Sequence, residues 1–232
     1  MVISPFRRLF GRSVASKRAS VSGVAFRTTT TFAALGPVIF VVNSVLAQLL
    51  QPAIDPVGQT ISFHVFGPYG WLQTFAFFAI GVSLLALTVS LLMKVRARSP
   101  SGIALLALMG IAFIVIGFNR VHNTDVAPTV SETIHRDAAV AIVAMMPLAC
   151  FMLAPGFKAI GHRFLFLYSI AAGVFALGVL AVGIIPNVLD SSLGILERIL
   201  LLNGQVWAEV VCIQLVRSAF RRAADDRDSS PA

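Results

Sequence analysis

The chain has 232 residues, 57% of them hydrophobic and only 12% charged. A soluble domain carries about 45–50% apolar and about 25% charged residues. This balance, with a mean hydropathy of +0.88, excludes a disordered chain and argues against an ordinary soluble enzyme. The net charge of +8 is taken first as a topology signal, because cytoplasmic loops of membrane proteins collect Lys and Arg.

In chain order, residues 1–28 are rich in Arg and Ser and hold no acid. They are read as a basic cytoplasmic tail. A mitochondrial presequence has a similar composition. Arg7-Arg8-Leu9-Phe10 resembles the core of a twin-arginine signal, but the apolar region that should follow it directly is missing. The first apolar helix is therefore expected to be retained.

Stretches free of Asp, Glu, Lys and Arg follow at 28–54, 56–93, 99–119, 138–157 and 164–189. Crossing a bilayer takes about 20 mostly apolar residues. The second stretch opens with the turn-formers Pro56, Gly58, Gly67 and Pro68, so its helix should start near Tyr69. The predicted spans are 29–50, 69–93, 102–119, 138–155, 164–185 and 193–216. The sixth holds Glu197, Arg198 and Glu209, and a soluble amphipathic helix is its alternative. The fold class is an all-α, polytopic, six-helix membrane bundle: a tail at 1–28, a membrane domain at 29–217 and a flexible tail at 218–232.

Orientation follows from the basic residues. Arg7, Arg8, Arg12, Lys17, Arg18 and Arg27 precede span one. Lys94, Arg96 and Arg98 follow span two, Lys158 and Arg163 follow span four, and Arg217, Arg221, Arg222 and Arg227 follow span six. Fifteen of the 18 thus share one side, and only Arg120, Arg136 and Arg198 lie on the other. Both termini are expected inside, in a bacterial cytoplasmic membrane, with the mitochondrial inner membrane as the alternative. The charge then needs no nucleic-acid partner. The expected partners are the lipid bilayer and other membrane subunits, and no cofactor is expected. Cys150 and Cys212 lie in apolar runs without CxxC spacing and read as buried hydrophobes.

Polar groups gather on the outer side: Asp55, Ser62 and His64; then Arg120, His122, Asp125, Glu132, His135, Arg136 and Asp137; then Asn187, Asp190, Glu197 and Arg198. His122, Asp125 and His135, with His64, are the candidate metal ligands, since imidazole and carboxylate suit zinc. The spacing matches no established zinc pattern. Asp125 and His135 are also the candidate catalytic acid–base pair. The plainer reading is that these groups cap helices and form ion pairs. Glu209 is an intramembrane acid one turn from Gln205, suited to proton carriage. Asn43, Gln48, Gln73 or a cytoplasmic arginine is its alternative hydrogen-bond partner. Trp71, Trp207, Tyr69 and Tyr168 read as interface anchors or bundle packing. Ala172, Ala176 and Gly183 form a small-residue face, and Pro147 should kink span four. No Walker, GxSxG or dinucleotide fingerprint is present, and the two halves show no convincing repeat.

Three stretches resemble the DUF998 family of small membrane proteins. They are Gly36-Pro37-Val38-Ile39-Phe40; Ile61-Ser62 followed by Tyr69-Gly70-Trp71-Leu72-Gln73, Phe77 and Gly81; and Asp125 followed by Thr133 and His135. The resemblance covers about residues 33–217 and implies a six-helix integral membrane protein, with no established reaction or cofactor. The chain departs from the family's pattern in its basic N-terminal tail and in Glu132. The leading expectation is a non-enzymatic structural or regulatory component, or a subunit of a membrane assembly. The alternatives are a small proton-coupled transporter using Glu209 and the outer Asp/His cluster, and a metal-dependent hydrolase with its site on the outer face.

Overall fold

The computed structural model describes residues 6–95, 98–121, 128–185 and 188–228, with side chains at 23–95, 98–121, 128–185 and 191–221. Six α-helices follow one another: α1 (Phe6–Leu50), α2 (Gly70–Lys94), α3 (Pro100–Phe118), α4 (Val130–Ala159), α5 (Arg163–Gly183) and α6 (Val188–Asp228). A short 3₁₀ helix, Ile61–Val65, stands between α1 and α2. Each of the six holds a segment long and apolar enough to cross a bilayer. The protein is a multi-pass membrane protein.

Neighbours in sequence are neighbours in space. Helices α1 to α6 pack in chain order, and α6 closes back on α1. The membrane-length segment of each helix is predominantly apolar, as lipid-exposed helices must be. The inward faces form one core in which the Phe40 ring lies 6.1 Å from both Phe77 and Phe113. The outward faces leave Leu49, Leu108 and Phe175 exposed to the bilayer.

Small residues set the closest approaches. Gly36 lies against Ser83, whose hydroxyl donates to the Ala33 carbonyl. Gly102 lies against the α4 backbone at Met152 and Leu153. Ala172 and Ala176 are buried on α5, where Asn203 donates to the Ala172 carbonyl at 3.1 Å. Gly183, grouped with them in the sequence, lines a groove between α4, α5 and α6 instead. Trp207 is core rather than interface: its indole N–H donates to Ser169 Oγ at 3.0 Å. Tyr69 and Trp71 are exposed at the start of α2, as interface anchors are.

Helix α4 starts earlier than expected. It was predicted from 138 and begins at Val130. Thr129 is its N-cap, its hydroxyl accepting the Glu132 N–H at 3.2 Å. Thr129-x-x-Glu132 is the capping-box spacing. Glu132, His135, Arg136 and Asp137 are therefore helical residues, not loop residues. The helix then continues through Pro147 and Pro155. Helix α1 begins at Phe6, inside the predicted tail. Helix α6 is bent at Ser192 (φ −138°, ψ 17°) and continues to Asp228.

Candidate functional site

One end of the bundle is closed by the segment between α1 and α2, which folds back over the helices. Its path follows from its turn-formers. Gly67 has φ +89°, a left-handed conformation open to glycine. Gly70 lies so close to the Val65 carbonyl that a Cβ would overlap it. Asp55 accepts the backbone N–H groups of Val57 at 3.0 Å and Gly58 at 2.9 Å, an Asx-type turn. These two bonds hold its carboxyl below the usual carboxylate range, with a smaller contribution from Arg198.

Two clamps hold this segment. On α6, the Glu197 carboxylate accepts the Ile61 N–H at 2.6 Å. Arg198 donates to the carbonyls of Pro56 (2.9 Å), Gln59 (2.7 Å) and Gly194 (3.1 Å), and to Gln48 Oε1 on α1 (3.1 Å). Gln48 of α1 donates to the Ile54 carbonyl, and Gln51, just past its end, to the His64 carbonyl, each at 3.0 Å.

The second clamp is on α4. His135 Nδ1 lies 2.6 Å from the Asn119 carbonyl, and its Nε2 lies 2.8 Å from Ser62 Oγ. A carbonyl oxygen can only accept, so Nδ1 carries the proton. An uncharged ring then presents its lone pair at Nε2, and the Ser62 hydroxyl donates to it. The edge of the His135 ring meets Phe77, centroids 6.2 Å apart. Both polar side chains are buried, Ser62 at 5% and His135 at 4% exposure.

Glu197 and His135 thus reach the 3₁₀ helix that carries His64, rather than one another. His64 is fully buried, its Nδ1 3.1 Å from the Ile61 carbonyl and its Nε2 without a partner. Burial holds its pKa below the usual histidine range. Arg136 forms an exposed ion pair with Asp137 at 3.7 Å. Arg120 is exposed, its carbonyl accepting from Ser131. His122 and Asp125 lie outside the described residues. Among the described residues, no three His, Cys, Asp or Glu side chains gather as metal ligands.

Glu209 lies away from this cluster, in a groove between α1 and α6 with Val38, Val42, Leu202 and Val206. Its Oε2 has no hydrogen-bond partner, and neither do Gln205 Oε1 or Ser44 Oγ. Of the partners considered for it, Asn43 donates to the Ile39 carbonyl, Gln48 serves Ile54 and Arg198, and Gln73 is itself unpartnered. The residue that sequence reasoning undervalued is Ser62. It appeared only in the list of outer polar groups and within a family motif, and its histidine partner lies 73 residues away.

One family model, described as a protein of unknown function (DUF998), matches residues 34–214. No curated protein sequence and no solved structure matches the chain.

Proposed function

The chain belongs to the DUF998 family, and we propose that it works as a structural or regulatory component of a membrane assembly. Its contact face is the seam between α1 and α6. The observation that supports this is the run of unpartnered oxygens along that seam: Ser44 Oγ, Gln205 Oε1 and Glu209 Oε2. Polar groups at membrane depth are costly unless a neighbouring helix supplies partners.

Two adjoining grooves of about 320 Å³ each run down the seam and share Val41, Leu202 and Gln205. Apart from Ser44, Gln48, Arg198, Gln205 and Glu209 their walls are apolar. Val38, Val42, Leu202 and Val206 are each about half exposed. Such a seam suits a helix better than the column of water a proton-coupled carrier would need. The occupant is a second copy of the chain. Glu209 is part-exposed on the groove wall, one turn from the buried Gln205, so a two-fold contact can set the Glu209 carboxyls of the two copies against each other.

The test is the oligomeric state of purified protein in lipid nanodiscs, with Val206→Cys cross-linking. A dimer that cross-links at position 206 and dissociates in the Glu209→Leu variant is expected. A monomer with no cross-link overturns the proposal. Both termini are assigned to the cytoplasm of a bacterial cell on the strength of the Lys and Arg asymmetry. Labelling of Pro128→Cys by a reagent confined to the cytoplasmic side would reverse that assignment.

A further inference from the structure

We infer that Ser62 and His135 form a nucleophile–base pair for acyl transfer, fed with the acyl chain of a membrane lipid by the apolar groove between α4, α5 and α6. This goes beyond an assembly role and rests on different residues.

The first support is the relay itself. An activated serine needs a base within hydrogen-bonding reach and a third group that fixes the base. Ser62 Oγ lies 2.8 Å from His135 Nε2, and His135 Nδ1 lies 2.6 Å from the Asn119 carbonyl. The carbonyl dictates the tautomer that leaves Nε2 free to take the serine proton. The three groups come from three places in the fold: the 3₁₀ helix, α4 and the C-terminal end of α3. Glu197 fixes the first by holding the Ile61 N–H, and Phe77 on α2 supports the imidazole ring.

The second support is a set of buried polar atoms that the fold does not use. Gln73 is fully buried, and neither its Oε1 nor its Nε2 has a partner. It lies one turn outward of Phe77 on the same face of α2. His64, on the same 3₁₀ helix as Ser62, is also fully buried with its Nε2 unpartnered. A buried amide with both ends free is costly. Here it suits a donor to a developing oxyanion.

The third support is the groove. About 400 Å³ in volume, it is lined by Ala139, Val143, Val179, Leu180 and Leu196 and opens beside Thr60 and Glu197. Thr60 is two residues from Ser62, and Ala139 is one turn from His135. The exposed Arg136 also lines it and suits an anionic headgroup. An ester-linked acyl chain fits these walls, its carbonyl at the polar end.

In the reaction, Ser62 Oγ bonds to the acyl carbon as its proton passes to His135 Nε2. The ester C–O bond breaks, and the departing alcohol takes that proton. Water then adds to the acyl-serine, giving its proton to Nε2. The bond between the acyl carbon and Ser62 Oγ breaks, the proton returns to Oγ, and a fatty acid leaves.

The test is labelling of the purified protein in nanodiscs with a long-chain alkyl fluorophosphonate, the adduct located by mass spectrometry. Wild-type protein is expected to carry the adduct on Ser62, and Ser62→Ala none. His135→Gln is expected to slow labelling by about 10²-fold or more while the protein remains folded by its thermal transition. Ser62→Cys, which keeps a nucleophile in place, should react with a long-chain iodoacetamide faster than Cys150 or Cys212. Leu180→Trp should slow the long-chain fluorophosphonate and spare a short-chain one. An unlabelled wild type, or equal labelling of Ser62→Ala, overturns the inference. Neither result touches the oligomeric state on which the assembly proposal stands.

Discussion

The carboxylate of Glu197 on α6 accepts the backbone N–H of Ile61 at 2.6 Å, across 136 residues of sequence. That bond joins the last helix to the segment that caps the first two. Glu197→Ala would leave a part-buried N–H unpaired, at a cost of about 1–3 kcal/mol. Glu197→Gln, which still offers an oxygen, should cost less. Thermal unfolding in detergent measures both, and an alanine variant as stable as wild type would show that the bond contributes nothing.

Backbone proximity separates the glycines sharply. A Cβ at Gly70 would overlap the Val65 carbonyl, and one at Gly194 would overlap the Gln59 carbonyl. Backbone cannot yield as a side-chain tip can, so Gly70→Ala and Gly194→Ala should each unseat the capping segment. Their cost should exceed the typical ~1 kcal/mol of a point substitution. At Gly178 a Cβ meets nothing within 4 Å. Gly178→Ala should be neutral or gain up to about 1 kcal/mol from helix propensity. Thermal transitions of the three variants check the order.

His64 gives the outer cap a pH dependence. Burial depresses its folded pKa, and the Arg198 charge adds to the effect. Below the ordinary histidine value of about 6.5, the unfolded chain takes up the proton more readily than the folded one. Stability is therefore whole above that value and is lost as the pH falls through and below it. His64→Asn keeps a donor for the Ile61 carbonyl and does not titrate in this range. The drop in unfolding midpoint between about pH 7.5 and pH 5.5 should be smaller in this variant than in wild type. An equal drop would assign the dependence to other groups.

The six spans were legible because lipid imposes a strict rule: every crossing helix must be long, apolar and nearly uncharged. Only the ends moved. The early start of α4 was written in Thr129-x-x-Glu132, a capping signal lying upstream of the apolar run. The outer cluster was legible as a list, not as an arrangement. His64, His122, Asp125 and His135 read as candidates to meet one another, with Glu197 and Arg198 as further polar groups; in the fold Glu197 and Arg198 meet the backbone of residues 56–61, and His135 meets the Ser62 hydroxyl. Composition reveals which polar side chains are present. It does not reveal that their partners are carbonyls and amides, because every residue carries those.

The two cysteines report how far a disturbance at the cap spreads. Cys150 on α4 and Cys212 on α6 are both fully buried. A thiol packed this way reacts only when its surroundings open. In native protein, maleimide should modify neither on the timescale that labels an added exposed cysteine. Glu197 and Cys212 are 15 residues apart on α6, about 22 Å along the axis. Between them Trp207 pins α6 to Ser169 of α5. The loss of Glu197 should therefore free the capping segment without opening the helix below. In Glu197→Ala, Cys212 should stay protected, while Trp207→Phe, which removes the Ser169 bond, should speed its modification. Rapid labelling of Cys212 in the Glu197 variant would show that cap and bundle open as one unit.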